Sequence, residues 1–159
     1  MKKIMKRYVF NGLGFPIILR NVPMIKMRGE FVLDINYNEL QKAVLTYLCH
    51  KQSPLTGNEI KFIRKYFELT LAAFGASLGF SHVTVLKWEK YGNRYAKIEP
   101  TTDVCIRLFI FSHLHSSGNA FKELYEQIDI PRLAKIQKSH QAAIKPLAID
   151  VQEDYKLAS

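Results

Sequence analysis

The chain has 159 residues, of which 48% are apolar, so it is too hydrophobic to be wholly disordered and long enough for one compact domain or two small ones. Its net charge of +9 favours a polyanionic partner, either a nucleic acid or an anionic membrane surface. No apolar run approaches the roughly 20 residues that span a bilayer, and two isolated cysteines form neither a disulfide framework nor a zinc site. We therefore expect a cytoplasmic protein with no membrane segment, in which Cys49 and Cys105 are small buried apolar residues.

Residues 1–53 are predicted to form a small α+β unit. β-Branched and aromatic runs at residues 8–10 and 15–19 flank a glycine-rich turn at 11–14, which indicates a β-hairpin. Residues 24–32 can supply another strand. The unit holds nine Lys/Arg and three Asp/Glu, so it carries +6 of the net charge. Three roles stay open for this positive charge: the unit contacts nucleic acid, it faces an acidic protein, or the charges form a solvated surface.

At the first helix the spacing of the apolar residues changes to that of a helix. Leu40, Val44 and Leu48 recur at helical spacing, which predicts a helix over residues 37–50. The segment that follows, residues 51–57, contains proline and glycine and is interpreted as a linker.

Residues 54–114 are predicted to be a run of helices joined by short loops. Thr56 can cap a first helix whose apolar residues continue to Phe67. Pro100 can open a last helix, because proline at a helix entry followed by Asp103 in the first turn is a favourable start.

Residues 69–92 predict two further short helices with a tight turn between them. Thr70 can cap the first helix, and Gly79 ends it, because only glycine adopts the left-handed conformation cheaply. Ser81 caps the second helix, which runs to about Lys90. Two short helices joined by a glycine-containing turn form the helix-turn-helix unit, whose second helix can enter the major groove of DNA.

A dense pattern of apolar and capping positions runs along this unit. It consists of Leu69-Thr70, Ala72, Phe74, Leu78-Gly79, Ser81, Thr84-Val85 and Trp88-Glu89. The pattern resembles the lambda-repressor-like, or XRE-type, helix-turn-helix of transcriptional regulators, whose core positions are matched here by Val85 and Trp88, so both should face inward. Leu71 stands where family members often carry a glutamine that touches a phosphate, and that contact is not carried over.

The resemblance implies a mainly α fold: a lambda-repressor-like helix-turn-helix domain over residues 54–114, with the small N-terminal α+β unit before it and a C-terminal helical tail after it. The implied function is sequence-specific binding of double-stranded DNA in the cytoplasm, at the nucleoid, as a repressor or autoregulator. A homodimer is expected, since one short recognition helix contacts few base pairs and two-fold operators match two-fold proteins. Phe109 and Phe111 are candidate dimer contacts, although core packing is the commoner role for each.

The same resemblance implies a set of DNA-contacting side chains. His82, Val83 and Thr84 occupy the start of the recognition helix, where side chains reach base edges, and Lys87 follows one turn later. Lys87 can donate to a guanine or to a phosphate, and Val83 can pack on a thymine methyl. The alternative is a merely solvated polar face. The predicted DNA-binding residues are Thr70, Ser81, His82, Val83, Thr84, Lys87, Lys90, Arg94 and Lys97.

Residues 115–159 carry no net charge. Short helices are predicted over residues 120–128 and 131–138, with Pro131 between them. Beyond His140 the apolar pattern fades, which predicts a poorly ordered tail.

Two other classes of function stay open. A small domain ahead of an XRE-type helix-turn-helix resembles antitoxins of the MqsA type, which bind a toxin protein through the N-terminal domain and DNA through the C-terminal one. Residues 1–53 lack the cysteine pairs that commonly bind zinc in those domains, so an apolar core must hold them instead. The basic, aromatic N-terminal unit also suggests an RNA-binding protein. The sequence shows no paired carboxylates, phosphate-binding loop or nucleophile–base set, and its five histidines are scattered, so we expect no enzymatic activity, metal or cofactor.

Overall fold

The computed structural model of the chain describes residues 1–114, 123–124, 126–138 and 144–154. Residues 120–122 and 125 of the helix predicted over residues 120–128, and His140, lie outside the described residues.

The chain forms two compact units, one of Met1–Thr46 with Lys145–Ser159 and the other of Tyr47–Ile144. The described residues contain four strands and six helices, so the protein is mixed α and β, where the sequence predicted a mainly α fold. The difference comes from the first unit, whose sheet is larger than the single hairpin that the sequence indicated most strongly.

The first unit is built on a sheet with strands β1 (Lys2–Phe10), β2 (Ile17–Met27), β3 (Glu30–Leu33) and β4 (Leu147–Asp150). β2 is the central strand, and it pairs antiparallel with β1 and β3 and parallel with β4. The predicted hairpin is confirmed as β1 and β2. Gly14 in its turn has a φ of 97°, a conformation that glycine adopts without strain.

The apolar pattern of β2 shifts by one residue at Asn21. Ile17 and Leu19 are fully buried before this position, whereas Val22 is fully buried after it, so the strand period of two is broken. Asn21 has a φ of 52°. Its side-chain amide donates a 2.7 Å hydrogen bond to the carboxylate of Asp150 in β4, which ties the irregular point of β2 to its parallel neighbour.

β4 lies in the segment for which the sequence predicted poor order, and the structure differs there. Leu147–Asp150 pair with Ile17–Arg20, and Ile149 is fully buried. The signal was missed because a strand of four residues is too short to show a period, and its partner strand lies far away in the sequence.

The helix predicted over residues 37–50 is confirmed as α1 (Tyr37–His50). Asn36 precedes it and satisfies two of the first amides, since its side-chain oxygen accepts hydrogen bonds from Asn38 at 3.0 Å and Glu39 at 3.3 Å. Within the first unit, Leu40 and Val44 of α1 are fully buried.

The second unit holds α2 (Gly57–Tyr66), α3 (Leu71–Leu78), α4 (His82–Glu89), α5 (Pro100–Leu114) and α6 (Ile130–Lys138). Its fully buried residues include Ile60, Ile63, Phe74, Val85, Ile106 and Ile110. Phe111 is buried as well, so this candidate dimer contact is a core residue. Phe109 is half-buried and packs edge-on against Phe67, with 5.2 Å between ring centroids.

A buried arginine fixes most of the segment that was predicted to be a linker. Arg107 is 1% exposed, and its Nε donates to Asp103 at 2.6 Å. The rest of its guanidinium donates to the carbonyls of Lys51 and Ser53. The second carboxylate oxygen of Asp103 accepts the Leu55 amide at 2.9 Å. Residues 51–55 are therefore an ordered part of the second unit.

Candidate nucleic-acid interface

Local capping sets the bounds of α3 as the sequence predicted. The Thr70 hydroxyl accepts a hydrogen bond from the Ala73 amide at 3.0 Å. At the other end, Gly79 adopts the left-handed conformation with φ 81° and ψ 26°. Its amide donates to Ala76, and the next amide, that of Phe80, donates to the Gly75 carbonyl at 2.8 Å. The helix therefore stops sharply and the chain turns into α4.

Gly75 lets the turn approach α3 closely, and sequence reasoning missed it. A Cβ atom at this position would lie 2.5 Å from the carbonyl oxygen of Phe80 and 3.2 Å from that of Ser81. Any larger side chain would push the start of α4 away from α3. The spacing of Gly75 four residues before Gly79 is the signal that was available in the sequence.

Ser81 begins α4, and the inward residues are those that the resemblance implied. The Ser81 hydroxyl accepts the Thr84 amide at 3.3 Å and lies 3.1 Å from the Thr84 hydroxyl. Val85 is fully buried and Trp88 is 5% exposed, so their predicted inward orientation is confirmed. Phe80 from the turn packs edge-on against Trp88, with ring centroids 5.0 Å apart.

The opposite side of α4 is exposed and carries most of the predicted base-contacting residues. Val83, Lys87 and Lys90 follow one another at spacings of four and three, so they share one face of the helix. His82 and Leu86 are also exposed and lie beside this face. This exposed side of α4 combines two cations with apolar groups, which suits contact with phosphates, guanine edges and thymine methyls.

A partly buried ion pair holds α4 against α2. Arg64 of α2 donates to the Glu89 carboxylate through Nε at 2.6 Å and Nη2 at 3.2 Å. Its Nη1 donates to the carbonyl of Leu69, just before α3, at 2.9 Å. One guanidinium thus fixes both ends of the helix-turn-helix. Glu89 belongs to the motif, but no pattern in the sequence pairs it with Arg64.

The loop after α4 is fastened to the start of α2. The amide of Gly57 donates to the Arg94 carbonyl at 3.2 Å, and the amide of Asn58 donates to the Gly92 carbonyl at 2.8 Å. A Cβ on Gly57 would lie 2.5 Å from the carbonyl oxygen of Trp88, so this approach also depends on a glycine. The Arg94 guanidinium lies 5.5 Å from the centre of the Tyr91 ring, which orients it within the loop.

Lys97 is exposed in the same loop and lies between two buried neighbours, Ala96 and Ile98. The amide of Ala96 donates to the Leu55 carbonyl at 3.1 Å. From α6, the side-chain amide of Gln137 donates to the carbonyls of Ala96, at 3.3 Å, and Ile98. The backbone on both sides of Lys97 is therefore held in place.

The predicted site residues fall into two groups. Those on α4 lie on one short helix, and Arg94 and Lys97 lie on the loop fastened beside α2. Thr70 stands apart, since it caps the end of α3 that is remote from the turn, about 12 Å along an eight-residue helix. The hydroxyls of Ser81 and Thr84 are already engaged in capping α4, so they have less freedom to bind a ligand than Lys87.

The two cysteines differ in burial. Burial raises the pKa of Cys49 to about 12, against a smaller opposing effect of Arg107, so the thiol stays protonated and is a poor nucleophile. Cys105 is exposed, and the expectation that it is buried is wrong. It lies on the outer side of α5, between the buried residues Val104 and Ile106.

Two further findings bear on the chemistry of the described residues. In residues 1–114, 123–124, 126–138 and 144–154, no group of three or more His, Cys, Asp or Glu side chains could hold a metal ion. Within the same ranges, every helix is too short or too polar to cross a membrane.

Comparison with known proteins adds nothing to this geometry: no protein family, curated protein or solved structure matches the chain.

Proposed function

We propose that the protein binds double-stranded DNA and regulates transcription, with α4 as the recognition helix in the major groove. The observation that carries the proposal is the geometry of α3, the Gly79 turn and α4: one side of α4 is buried through Val85 and Trp88, and the other presents Val83 and Lys87 to solvent. An α-helix with its side chains is about 10–12 Å across, so α4 fits a major groove about 12 Å wide.

The charges on α4 support a nucleic-acid ligand. Lys87 and Lys90 take part in none of the ion pairs found among the described residues. In contrast, the carboxylate of α4 that could neutralise them, Glu89, is turned inward to Arg64. The exposed side of α4 is therefore cationic. We assign base contacts to His82, Val83 and Lys87, and phosphate contacts to Lys90, Arg94 and Lys97.

One α4 reads too few base pairs to define an operator, so the protein acts as a homodimer on a two-fold site. Within this proposal the chain is a repressor or autoregulator without enzymatic activity.

The decisive experiment selects duplexes from a random DNA pool with the full chain and then measures the affinity of Lys87→Ala for the selected sequence. We expect a loss of about 1–3 kcal/mol and a relaxed preference at one base pair of each half-site. Lys65→Ala is the matched control, because it removes an exposed cation from α2 and should leave the preference unchanged. A parent chain that selects no duplex, or that prefers single-stranded RNA, would overturn the proposal.

A second candidate, an antitoxin that binds a toxin protein as well as its own operator, is favoured by the edge of the sheet. Among the described strands, β1 pairs with β2 alone, and Lys2, Lys6 and Arg7 along it are exposed. An extended segment of a partner could pair with such an edge. A neighbouring gene whose product arrests growth only when this chain is absent would support this function, and failure of the two purified proteins to bind would remove it.

A further inference from the structure

α6 has an unbalanced charge. Between Ile130 and Lys138 it carries Arg132, Lys135 and Lys138 and no acidic residue. All three cations are exposed and three residues apart, so they form a stripe along the helix, while Leu133 on the other side is buried. The sequence predicted a helix over residues 131–138 but did not reveal its charge, because residues 115–159 as a whole carry no net charge.

α6 is joined to the loop that follows α4. The Gln137 side chain donates to the carbonyls of Ala96 and Ile98, the two residues that flank Lys97. Gln137 directly precedes Lys138 in α6. The loop backbone on both sides of Lys97 is therefore fastened to the last turn of α6.

The acidic residue that precedes α6 offsets at most one of the three positive charges. Asp129 precedes α6 and caps it, since its carboxylate accepts the backbone amide of Arg132 at 3.0 Å. None of the ion pairs among the described residues contains Arg132, Lys135 or Lys138. The stripe thus keeps its cations available for an external polyanion.

We propose that α6 and Lys97 form one phosphate-binding surface that grips the DNA backbone beside the base pairs read by α4. The inference rests on the proposed function, because it takes α4 and its loop as the part that approaches DNA. In this inference, α6 adds affinity that does not depend on the DNA sequence. Gln137 is a positioning residue that holds the loop around Lys97 against α6. A duplex is the occupant that fits, since it offers closely spaced phosphates to a row of cations.

The test compares Arg132→Ala/Lys135→Ala in the full chain with the parent, using a labelled duplex selected by the parent and measuring affinity across a salt series. Each lost phosphate contact should make the slope of log affinity against log salt shallower by about 0.9. If two contacts are lost, the ratio of parent affinity to variant affinity should fall by about tenfold as the salt concentration rises from roughly 50 to 200 mM. The preferred DNA sequence should stay the same.

Two controls separate local contact from net charge and from folding. Lys6→Ala/Lys26→Ala removes two exposed cations from the first unit, and its slope should remain close to that of the parent. Arg132→Lys/Lys135→Arg keeps the charges and should keep the slope. Gln137→Ala should lower affinity and make the effect of Lys97→Ala smaller than in the parent.

The outcomes distinguish the two proposals. A parent that binds the selected duplex together with an Arg132→Ala/Lys135→Ala variant of unchanged slope would overturn the role of α6 and leave α4 as the reader. An equal change in the Lys6→Ala/Lys26→Ala control would overturn it too, since the effect would then follow net charge alone. A parent with no affinity for any duplex would instead overturn the proposed function itself.

Discussion

Buried charge is concentrated in one of the two units. The buried polar and charged side chains of the described residues are Thr56, Glu59, Glu89, Thr102, Asp103 and Arg107, and all of them lie within Tyr47–Ile144. The core of the other unit is apolar, with Ile17, Leu19 and Ile149 fully buried. Apolar burial stabilises a unit without specifying direction, whereas a buried ion pair is stable only in one geometry. The unit with the candidate interface is the one whose loops are fixed by buried charged groups.

This contrast has a consequence for the interface. Arg64 fixes α4 and the start of α3, and Arg107 fixes residues 51–55. Leu55 in turn accepts the amide of Ala96, next to Lys97. The candidate phosphate contacts are thus connected to the buried charges through short chains of hydrogen bonds.

The largest expected effect is on Arg107. Arg107→Ala would leave the Asp103 carboxylate buried without its partner, so we expect the free energy of unfolding of the second unit to fall by about 3–5 kcal/mol. Trp88 is the only tryptophan and is buried in this unit, so its fluorescence during urea unfolding measures the change. Lys61→Ala removes an exposed cation from α2 and should change the stability by less than about 0.5 kcal/mol. Equal urea midpoints for the two variants would contradict the view that the second unit depends on its buried charges.

In the apolar unit, the largest effect should come from a side chain that carries no charge. Ile149→Ala in β4 removes a fully buried group, so we expect a loss of about 2–4 kcal/mol and faster amide exchange at Leu19 in β2. Ile4→Ala in β1 is the matched control, because Ile4 is 64% exposed. If both variants were equally stable, β4 would not belong to the core of this unit.

The same contrast explains what the sequence could predict. Thr70, Gly79 and Ser81 act on residues within three positions of themselves, so the bounds of α3 and α4 could be predicted. The inward side of α4 followed from a motif of two dozen residues. For the candidate site, the sequence identified the residues but did not reveal the contacts among them.

The features that the sequence could not show join distant parts of the chain. Arg107 and Asp103 are one helical turn apart, which is typical of an exposed pair, and only the fold reveals that both are buried around residues 51–55. Gln137 and Ala96 are 41 residues apart, and no periodicity links them. β4 was not predicted for the same reason, because its partner strand lies near the other end of the chain.

The smallest expected effect concerns the side-chain hydrogen bond between Asn21 of β2 and Asp150 of β4 in the apolar unit. Burial alone would raise the pKa of Asp150, but hydrogen bonds from Asn21 and from the amides of Gln152 and Glu153 outweigh it and lower the pKa below its ordinary value of 3.8. A carboxyl whose pKa is lower in the folded state stabilises that state above the unfolded-state pKa, and this contribution is lost as the pH falls through the folded-state pKa.

Asp150→Asn should therefore reduce the free energy of unfolding by about 1 kcal/mol at neutral pH, since it removes the charge from three hydrogen bonds. The difference from the parent should shrink as the pH is lowered past 3.8 and disappear once the parent carboxyl is protonated. Glu30→Gln, which neutralises an exposed carboxylate of the same unit, is the control for a general effect of lowered charge. A difference between Asp150→Asn and the parent that is the same at neutral and acid pH would show that the carboxylate charge is irrelevant, and that the apolar unit is stabilised by burial alone.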